Sequence, residues 1–99
     1  MMQTIFVKQY IDQYGDYALS GNAVYDFAAA AITDGDSLKF DMSGQDSVST
    51  VFLNASFGRL IDTFGIDRVK SSFKFANLLR SQMDRIRKYF NDYQELYVK

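Results

Sequence analysis

The sequence predicts an α/β domain with a four-stranded, mostly parallel but mixed sheet and three helices packed on it. Short segments with alternating or β-branched apolar residues are separated by longer segments whose apolar residues recur at helical spacing. The connections are short, and such an alternation of strands and helices is typical of βαβ units. The 99 residues contain no proline and no internal repeat, so we expect a single domain over residues 1–99.

The N-terminal segment predicts a hairpin at the edge of the sheet. Residues 4–11 are rich in β-branched and aromatic side chains, which favour a strand. Residues 12–16 place a glycine among polar residues, a pattern that is typical of a turn. Residues 17–19 would then return as a short antiparallel strand.

A helix and a half-buried strand are predicted next. Residues 21–33 carry apolar side chains at helical spacing, and the hydroxyl of Ser20 can cap the free amides at their start. The acidic, glycine-containing segment 34–36 ends this helix. In residues 37–42 apolar side chains alternate with charged ones, which is the period of a half-buried strand.

The C-terminal half predicts a second helix, a fourth strand and a third helix. Residues 49–64 carry one apolar stripe and are followed by Gly65, a residue type that commonly ends helices. Residues 69–76 alternate again and predict a strand. Asn77 can cap the last helix, which we expect over residues 78–97.

The composition excludes several kinds of site. Without cysteine and histidine, the chain can form no disulfide, no Cys-zinc site and no Ser-His or Cys-His nucleophile pair. We therefore expect no enzymatic activity, no metal and no cofactor. The 11 basic and 12 acidic residues form no dense basic cluster, so no nucleic-acid partner is expected. The apolar runs are much shorter than a membrane helix of ~20 residues. The N-terminus lacks a signal-peptide pattern, and a cytoplasmic protein without membrane contact is expected.

The loop after the 37–42 strand is the predicted functional surface. Open α/β sheets bind their ligands at the carboxyl ends of strands. A protein partner would there meet the turn that contains Asp41, Ser43, Gly44 and Asp46. The two carboxylates can also chelate Mg²⁺, although two such groups alone are a weak signal. An Asx turn is the simpler interpretation of Asp46.

Three hydroxyl side chains follow at the start of the second helix: Ser47, Ser49 and Thr50. Two interpretations are open. One of the serines can be the N-cap of the helix, since its hydroxyl can accept from a free backbone amide. Alternatively, a phosphate added to one of the three would meet the positive end of the helix and change the surface charge by about −1.5 to −2. The three residues are therefore candidate phosphorylation sites.

The last helix has an aromatic seam. Its apolar residues alternate at spacings of three and four, and the seam ends in Tyr89, Phe90, Tyr93 and Tyr97. Such a seam can pack on the domain's own sheet, or it can meet a second subunit and form a homodimer. Tyrosine suits an interface because one end of its ring system is apolar and the other can stay hydrated.

The opposite face of the same helix is basic. It carries four cationic side chains: Arg80, Arg85, Arg87 and Lys88. Arginine forks match the oxygens of a phosphate, so this face can bind phosphate. Ordinary surface ion pairs with Asp84 are the other interpretation.

Residues 38–60 contain the segments Asp-Met-Ser-Gly at 41–44, Ser-Val-Ser-Thr at 47–50 and Phe-Gly-Arg-Leu at 57–60. In this order they resemble the bacterial STAS-like domains, a family of unknown function. The resemblance extends over roughly residues 35–90 and implies a STAS-like fold. It also implies kinship with the anti-sigma factor antagonists, small phosphorylatable proteins that dock on histidine-kinase-like ATPases. Their phosphorylated serine matches Ser49-Thr50 here, without the glycine that follows it in that family.

These observations lead to one principal hypothesis and one alternative. In the first, the chain is a non-catalytic signalling module that docks on a protein partner, such as a histidine-kinase-like ATPase, through residues 43–50. Phosphorylation at Ser47, Ser49 or Thr50 would gate the docking. In the alternative, the chain is a structural domain that dimerises through the aromatic last helix.

Overall fold

The computed structural model describes the backbone of residues 1–98 and the side chains of residues 1–95. Its sheet has three parallel strands in the order β1 (Met2–Phe6), β2 (Ser37–Asp41) and β3 (Phe73–Ala76). Ile5, Phe40 and Phe75 are aligned across the sheet, and one row further on Phe6 is aligned with Asp41 and Asp41 with Ala76. The carboxyl ends of all three strands therefore lie at one edge.

Within the described residues five helices accompany the sheet, and not the predicted three. They are α1 (Val7–Tyr14), α2 (Tyr17–Thr33), α3 (residues 50–64), α4 (Ile66–Ser72) and α5 (Arg80–Val98). α3 is continuous but not uniform, because a π-helical turn, Asn54–Gly58, lies between two α-helical segments, Thr50–Leu53 and Arg59–Phe64. Among the described residues, no helix combines the length and the apolar character needed to cross a bilayer.

The predicted N-terminal hairpin is wrong. The strand ends at Phe6 and residues 7–14 are helical, because Val7, Tyr10 and Ile11 form one apolar helical face that packs against the core. β-branched and aromatic residues tolerate a helix when its face is buried, and tertiary packing overrides their strand propensity. The described sheet consequently has three strands, all parallel, and not four in a mixed arrangement.

The starts of two helices also differ from the prediction. α2 begins at Tyr17 and is capped by Asp16, whose Oδ1 accepts from the amide of Leu19 at 2.8 Å. Ser20 is instead buried inside the first turn, where its hydroxyl donates to the carbonyl of Tyr17. Residues 69–72 belong to α4, so only the second half of the strand predicted over 69–76 is extended in the structure.

Aromatic rings fill the layer between sheet and helices. Phe57 of α3 lies at their centre, with ring centroids 5.0 Å from Phe40, 4.8 Å from Phe73 and 5.4 Å from Phe90. These rings are at most 5% exposed. Their tilted and edge-to-face arrangements are those that aromatic pairs prefer. The cluster fixes α3 and α5 against the sheet.

Two glycines allow α3 to lie close to its neighbours. A Cβ on Gly21 of α2 would be 2.6 Å from the Cβ of Ala55 and 2.8 Å from the carbonyl oxygen of Phe52. A Cβ on Gly58 would be 2.6 Å from the hydroxyl of Tyr93 on α5. α3 is thus wedged between α2 and α5, and its N-terminus is fixed beside the first turns of α5.

Candidate functional site

The loop between β2 and α3 begins at a carboxylate whose two oxygens both accept hydrogen bonds. Asp41 ends β2, and its side chain is 8% exposed. Its Oδ1 accepts from the backbone amide of Ser43 at 2.9 Å and from the hydroxyl of Ser43 at 2.7 Å. The side-chain amide of Asn77 donates to both carboxylate oxygens, at 3.1 and 3.0 Å. Asp41 therefore joins the start of this loop to the end of β3.

These hydrogen bonds stabilise the ionised form of Asp41. They lower its pKa below the ordinary value of 3.8, the hydroxyl of Ser43 having the largest effect, followed by the amide of Ser43 and by Asn77. Among the side chains of residues 1–95, no three from histidine, cysteine, aspartate or glutamate come together to hold a metal ion. Asp41 is therefore a structural anion, and its carboxylate oxygens accept hydrogen bonds from residues of the same chain.

Asn77 has a different role from the predicted one. Its backbone has a φ of 56°, in the left-handed region that asparagine tolerates better than most residues. This conformation turns the chain after β3 and directs the amide to Asp41. At the start of α5 the side chain of Gln82 bonds instead to the residue that precedes the helix, and its Oε1 accepts from the amide of Leu79 at 2.8 Å. Asn77 is therefore not the N-cap of the last helix.

The exposed part of the loop is a tight turn. The amide of Gln45 donates to the carbonyl of Met42 at 3.0 Å, and Gly44 at the third position of the turn has a φ of 78°. A positive φ at this position favours glycine. A Cβ on Gly44 would be 2.8 Å from the side chain of Lys8 on α1. Ser43, Gly44 and Asp46 are all exposed at this edge of the sheet, where a partner was predicted to bind.

Two side chains of α5 hold the other part of the loop, and we call Gln82 and Arg85 the α5 clamp. Gln82 is 3% exposed, and its amide donates to the carbonyl of Gln45. Arg85 donates from Nε to the carbonyl of Val48 at 3.0 Å and from Nη2 to the hydroxyl of Thr50. Because the two residues are three positions apart, they lie on one helical face and grip the loop at successive points.

The three candidate hydroxyls have three different environments. Ser49 is the N-cap of α3, and its Oγ accepts from the amide of Phe52 at 3.4 Å. Thr50 is exposed and contacts Arg85 through its hydroxyl. Ser47 is exposed, and its carbonyl accepts from the side chain of Gln45 at 3.3 Å. Of the three side chains, that of Thr50 is the one in contact with a cation.

A surface cavity of about 140 Å³ adjoins Thr50, and we call it the Thr50 cavity. It is lined by Thr50, Leu53, Arg85, Lys88, Tyr89 and Asp92. Lys88 and Asp92 form an exposed ion pair at 2.9 Å. The hydroxyl of Tyr89 donates to Asn54 Oδ1 at 2.8 Å, and burial followed by the neighbouring Tyr93 raises the pKa of Tyr89 far above its ordinary value. This tyrosine remains a neutral donor.

The aromatic residues of the last helix make contacts within the chain. Phe90 is 5% exposed and packs edge-to-face on Phe57. Tyr89 and Tyr93 contact each other, with ring centroids 5.0 Å apart, and their hydroxyls lie over Gly58. Both tyrosines remain partly exposed. The side chain of Tyr97 lies outside the described residues.

Sequence reasoning singled out the loop, but it missed part of its support. Gln82 was not recognised, and Arg85 was seen only as one of four cations on a helix face. A glutamine at the third position after the start of a helix is a known capping signal. Its second bond, to a carbonyl 37 residues earlier in the chain, has no local signal.

The chain was compared with known protein families, with curated proteins and with solved structures. A family model described as a STAS-like domain of unknown function matches residues 20–82. The matched segment begins in α2, includes β2, the loop, α3, α4 and β3, and ends at Gln82 in α5. No curated protein and no solved structure is significantly similar to the chain. Because the match covers more than half of its residues, this chain belongs to the family of STAS-like domains of unknown function.

Proposed function

We propose that this chain is a non-catalytic interaction module that docks on a protein partner through residues 43–50. Phosphorylation at Ser47, Ser49 or Thr50 gates the docking. The partner class, a histidine-kinase-like ATPase, is taken from the kinship of STAS-like domains with the anti-sigma factor antagonists. One observation carries the proposal: an exposed loop with neither helix nor strand is fastened at several points to the rigid fold beneath it.

The fastening of this loop suits recognition. Asp41 holds its start, and the α5 clamp holds its middle and its end. A loop that is ordered before binding loses less conformational entropy when a partner docks. The outward positions carry small and polar groups, such as Ser43, Asp46 and Ser47, which offer hydrogen bonds without closing the surface to a partner.

The chemistry of the loop favours binding over catalysis. Among the described residues, the hydroxyl of Thr50 is paired with the guanidinium of Arg85, a cation that does not act as a base. The hydroxyl of Ser43 is paired with Asp41, whose lowered pKa makes its carboxylate a poor proton acceptor. A hydroxyl nucleophile needs an effective base within hydrogen-bond reach.

Phosphorylation would change this surface strongly. A phosphate adds about −1.5 to −2 charges and three acceptor oxygens at neutral pH. On a docking surface formed by residues 43–50, such a charge repels an acidic partner surface and imposes a desolvation cost on an apolar one. Phosphorylation is therefore expected to weaken partner binding strongly.

The test is affinity capture from native cell lysate, with bound proteins identified by mass spectrometry. Wild type is compared with Thr50→Asp and with Ser49→Asp, which retains a side chain able to cap α3. The control is Gln94→Glu, which adds one negative charge on the exposed face of α5, about 18 Å along the helix from Gln82. Any captured ATPase is then purified, and its binding to each variant is measured directly.

The expected result is capture of a histidine-kinase-type ATPase by wild type and by Gln94→Glu. Thr50→Asp or Ser49→Asp should weaken its binding by about 5- to 150-fold, since like-charge or desolvation penalties of this kind cost roughly 1–3 kcal/mol. Equal binding of all four chains contradicts gating at Ser49 and at Thr50. Recovery of only further copies of the chain contradicts the docking function.

A further inference from the structure

We propose that the Thr50 cavity is an intramolecular phosphate site, in which Arg85 and Lys88 receive a phosphoryl group carried by Thr50. The inference deepens the proposed function and rests on it for the premise that this loop is phosphorylated. It adds which of the three hydroxyls is modified and which residues respond to the modification.

The acceptor is identified by its position. Thr50 is exposed, so a kinase can reach its hydroxyl, and the same hydroxyl borders a cavity with two cations. Ser49 faces a different group, because its oxygen accepts from the amide at the start of α3. Ser47 is exposed but does not line the cavity. Thr50 is therefore the one residue of the three whose phosphate would find a prepared environment.

Arg85 is placed to be the principal ligand. Of its five N–H donors, the one on Nε is directed to the carbonyl of Val48. The two Nη atoms carry the other four donors, and one on Nη2 already donates to the hydroxyl oxygen that would carry the phosphate. The bond to Val48 fixes the plane of the guanidinium, so a two-pronged pairing with phosphate oxygens needs little further ordering.

Lys88 supplies the second charge. It lies one helical turn after Arg85 and lines the same cavity. Its ammonium is paired with Asp92 at 2.9 Å, and both groups are well exposed. An exposed pair of this kind contributes little to stability, so the ammonium can turn to a phosphate without a large loss. Two cations then face one carboxylate, and the excess positive charge favours an anion. Tyr89 is committed to Asn54 and is not counted as a ligand.

The modification itself is an ordinary phosphoryl transfer. A protein kinase supplies the phosphoryl group from ATP. The bond between the γ-phosphorus and Thr50 Oγ1 forms, and the bond from that phosphorus to the oxygen of the leaving ADP breaks. The hydroxyl proton passes to the base of the kinase. The consequence for this chain is a stronger connection between the loop and α5, because a hydrogen bond from a cation to a neutral hydroxyl becomes a pairing of that cation with a phosphate anion.

The experiment uses the full chain with phosphothreonine encoded at position 50, and the same chain with phosphoserine at position 47 as the matched control. ³¹P NMR follows the titration of each phosphate, and thermal unfolding gives the Tm of each chain. Both measurements are repeated with Arg85→Gln, with Lys88→Gln and with Arg80→Gln, which removes an exposed cation of α5 that does not line the cavity. Inorganic phosphate is titrated into the unmodified chain in a separate arm.

We expect the second pKa of the phosphate on Thr50 to fall from about 6 to about 5, because two cations favour its dianion. The Tm should rise by about 3 °C or more. Arg85→Gln and Lys88→Gln should each reduce both effects, whereas Arg80→Gln and phosphorylation at Ser47 should leave the phosphate with its ordinary titration.

An ordinary titration at Thr50, unchanged by Arg85→Gln, overturns the proposal even if the Tm changes. Binding of inorganic phosphate to the unmodified chain, combined with an ordinary titration at Thr50, also overturns it and assigns the cavity to a free ligand. Because no partner is present in these measurements, their result is independent of the capture experiment. A shifted titration with unchanged partner binding would reject the gating function and keep the phosphate site.

Discussion

The side chain of Asn77 donates to both carboxylate oxygens of Asp41, at 3.1 and 3.0 Å, and so joins the end of β3 to the end of β2. The two residues are 36 positions apart in the chain. With Ser43 on the other side of the carboxylate, this arrangement gives the loop a fixed starting point. It also makes the shape of the loop depend on one ionised group, and this dependence can be measured.

The stability of the fold is predicted to depend on the ionisation of Asp41. Its folded pKa is below the ordinary 3.8, so its contribution to stability is present above pH 3.8 and is lost as the pH falls through the lowered value. Asp41→Asn removes this contribution, because an amide presents donors where the carboxylate accepts. Urea unfolding between pH 7 and pH 3 should show a lower midpoint for the variant at pH 7 and a smaller gap from wild type in acid.

The neighbouring carboxylate provides the control for that titration. Asp46 is exposed on the same loop, and Asp46→Asn should leave the midpoint close to that of wild type. If the urea midpoints of wild type and Asp41→Asn fall in parallel over the whole pH range, the ionisation of Asp41 does not cause the loss of stability in acid.

Gly21→Ala is predicted to destabilise the fold by about 1–3 kcal/mol, the usual cost of overpacking. In an exposed helix the same change would stabilise by up to ~1 kcal/mol. Here the new Cβ would lie 2.6 Å from the Cβ of Ala55 and 2.8 Å from the carbonyl oxygen of Phe52. Urea denaturation gives the free energy of unfolding of each variant. The double variant Gly21→Ala with Ala55→Gly should recover part of the lost free energy of unfolding. If Gly21→Ala alone is more stable than wild type, α2 and α3 are further apart than in this structure.

Gln82→Ala is predicted to cost about 1–3 kcal/mol, because it leaves the amide of Leu79 and the carbonyl of Gln45 without their partner. The loop should also become more open, and hydrogen exchange at the amides of residues 45–50 should accelerate. Gln94→Ala changes the same residue type at an exposed site of α5 and should stay within about 0.5 kcal/mol of wild type. If hydrogen exchange at residues 45–50 is the same in Gln82→Ala as in wild type, Gln82 does not hold the loop closed.

Phe90→Ala is predicted to lower the free energy of unfolding by about 3–5 kcal/mol, since it removes a ring that packs on Phe57 in the core. The unfolding transition followed by circular dichroism should shift equally at low and high protein concentration. A loss of stability confined to high concentration would instead indicate that Phe90 acts between two copies of the chain.

The amino-acid sequence alone was enough to predict an α/β fold, the strand at residues 37–42, which ends at Asp41 in the structure, the helix that ends before Gly65 and the family, because these depend on local periodicity and on short ordered motifs. It also directed attention to the loop after β2, since strand ends in α/β sheets are where loops become available for binding. Each of these conclusions needs only residues that are near one another in the chain.

The other features of the fold and of the loop depend on contacts between distant parts of the chain. Residues 7–14 and 69–72 are short segments that mix apolar and polar residues in a way that suits either a strand or a helix, and both are helical where Val7 and Val69 are buried. The bonds from Asn77 to Asp41 and from Arg85 to Val48 and Thr50 join positions 35 or more residues apart. No local pattern specifies such pairs, because they form only when the aromatic core has brought β3 and α5 beside the loop.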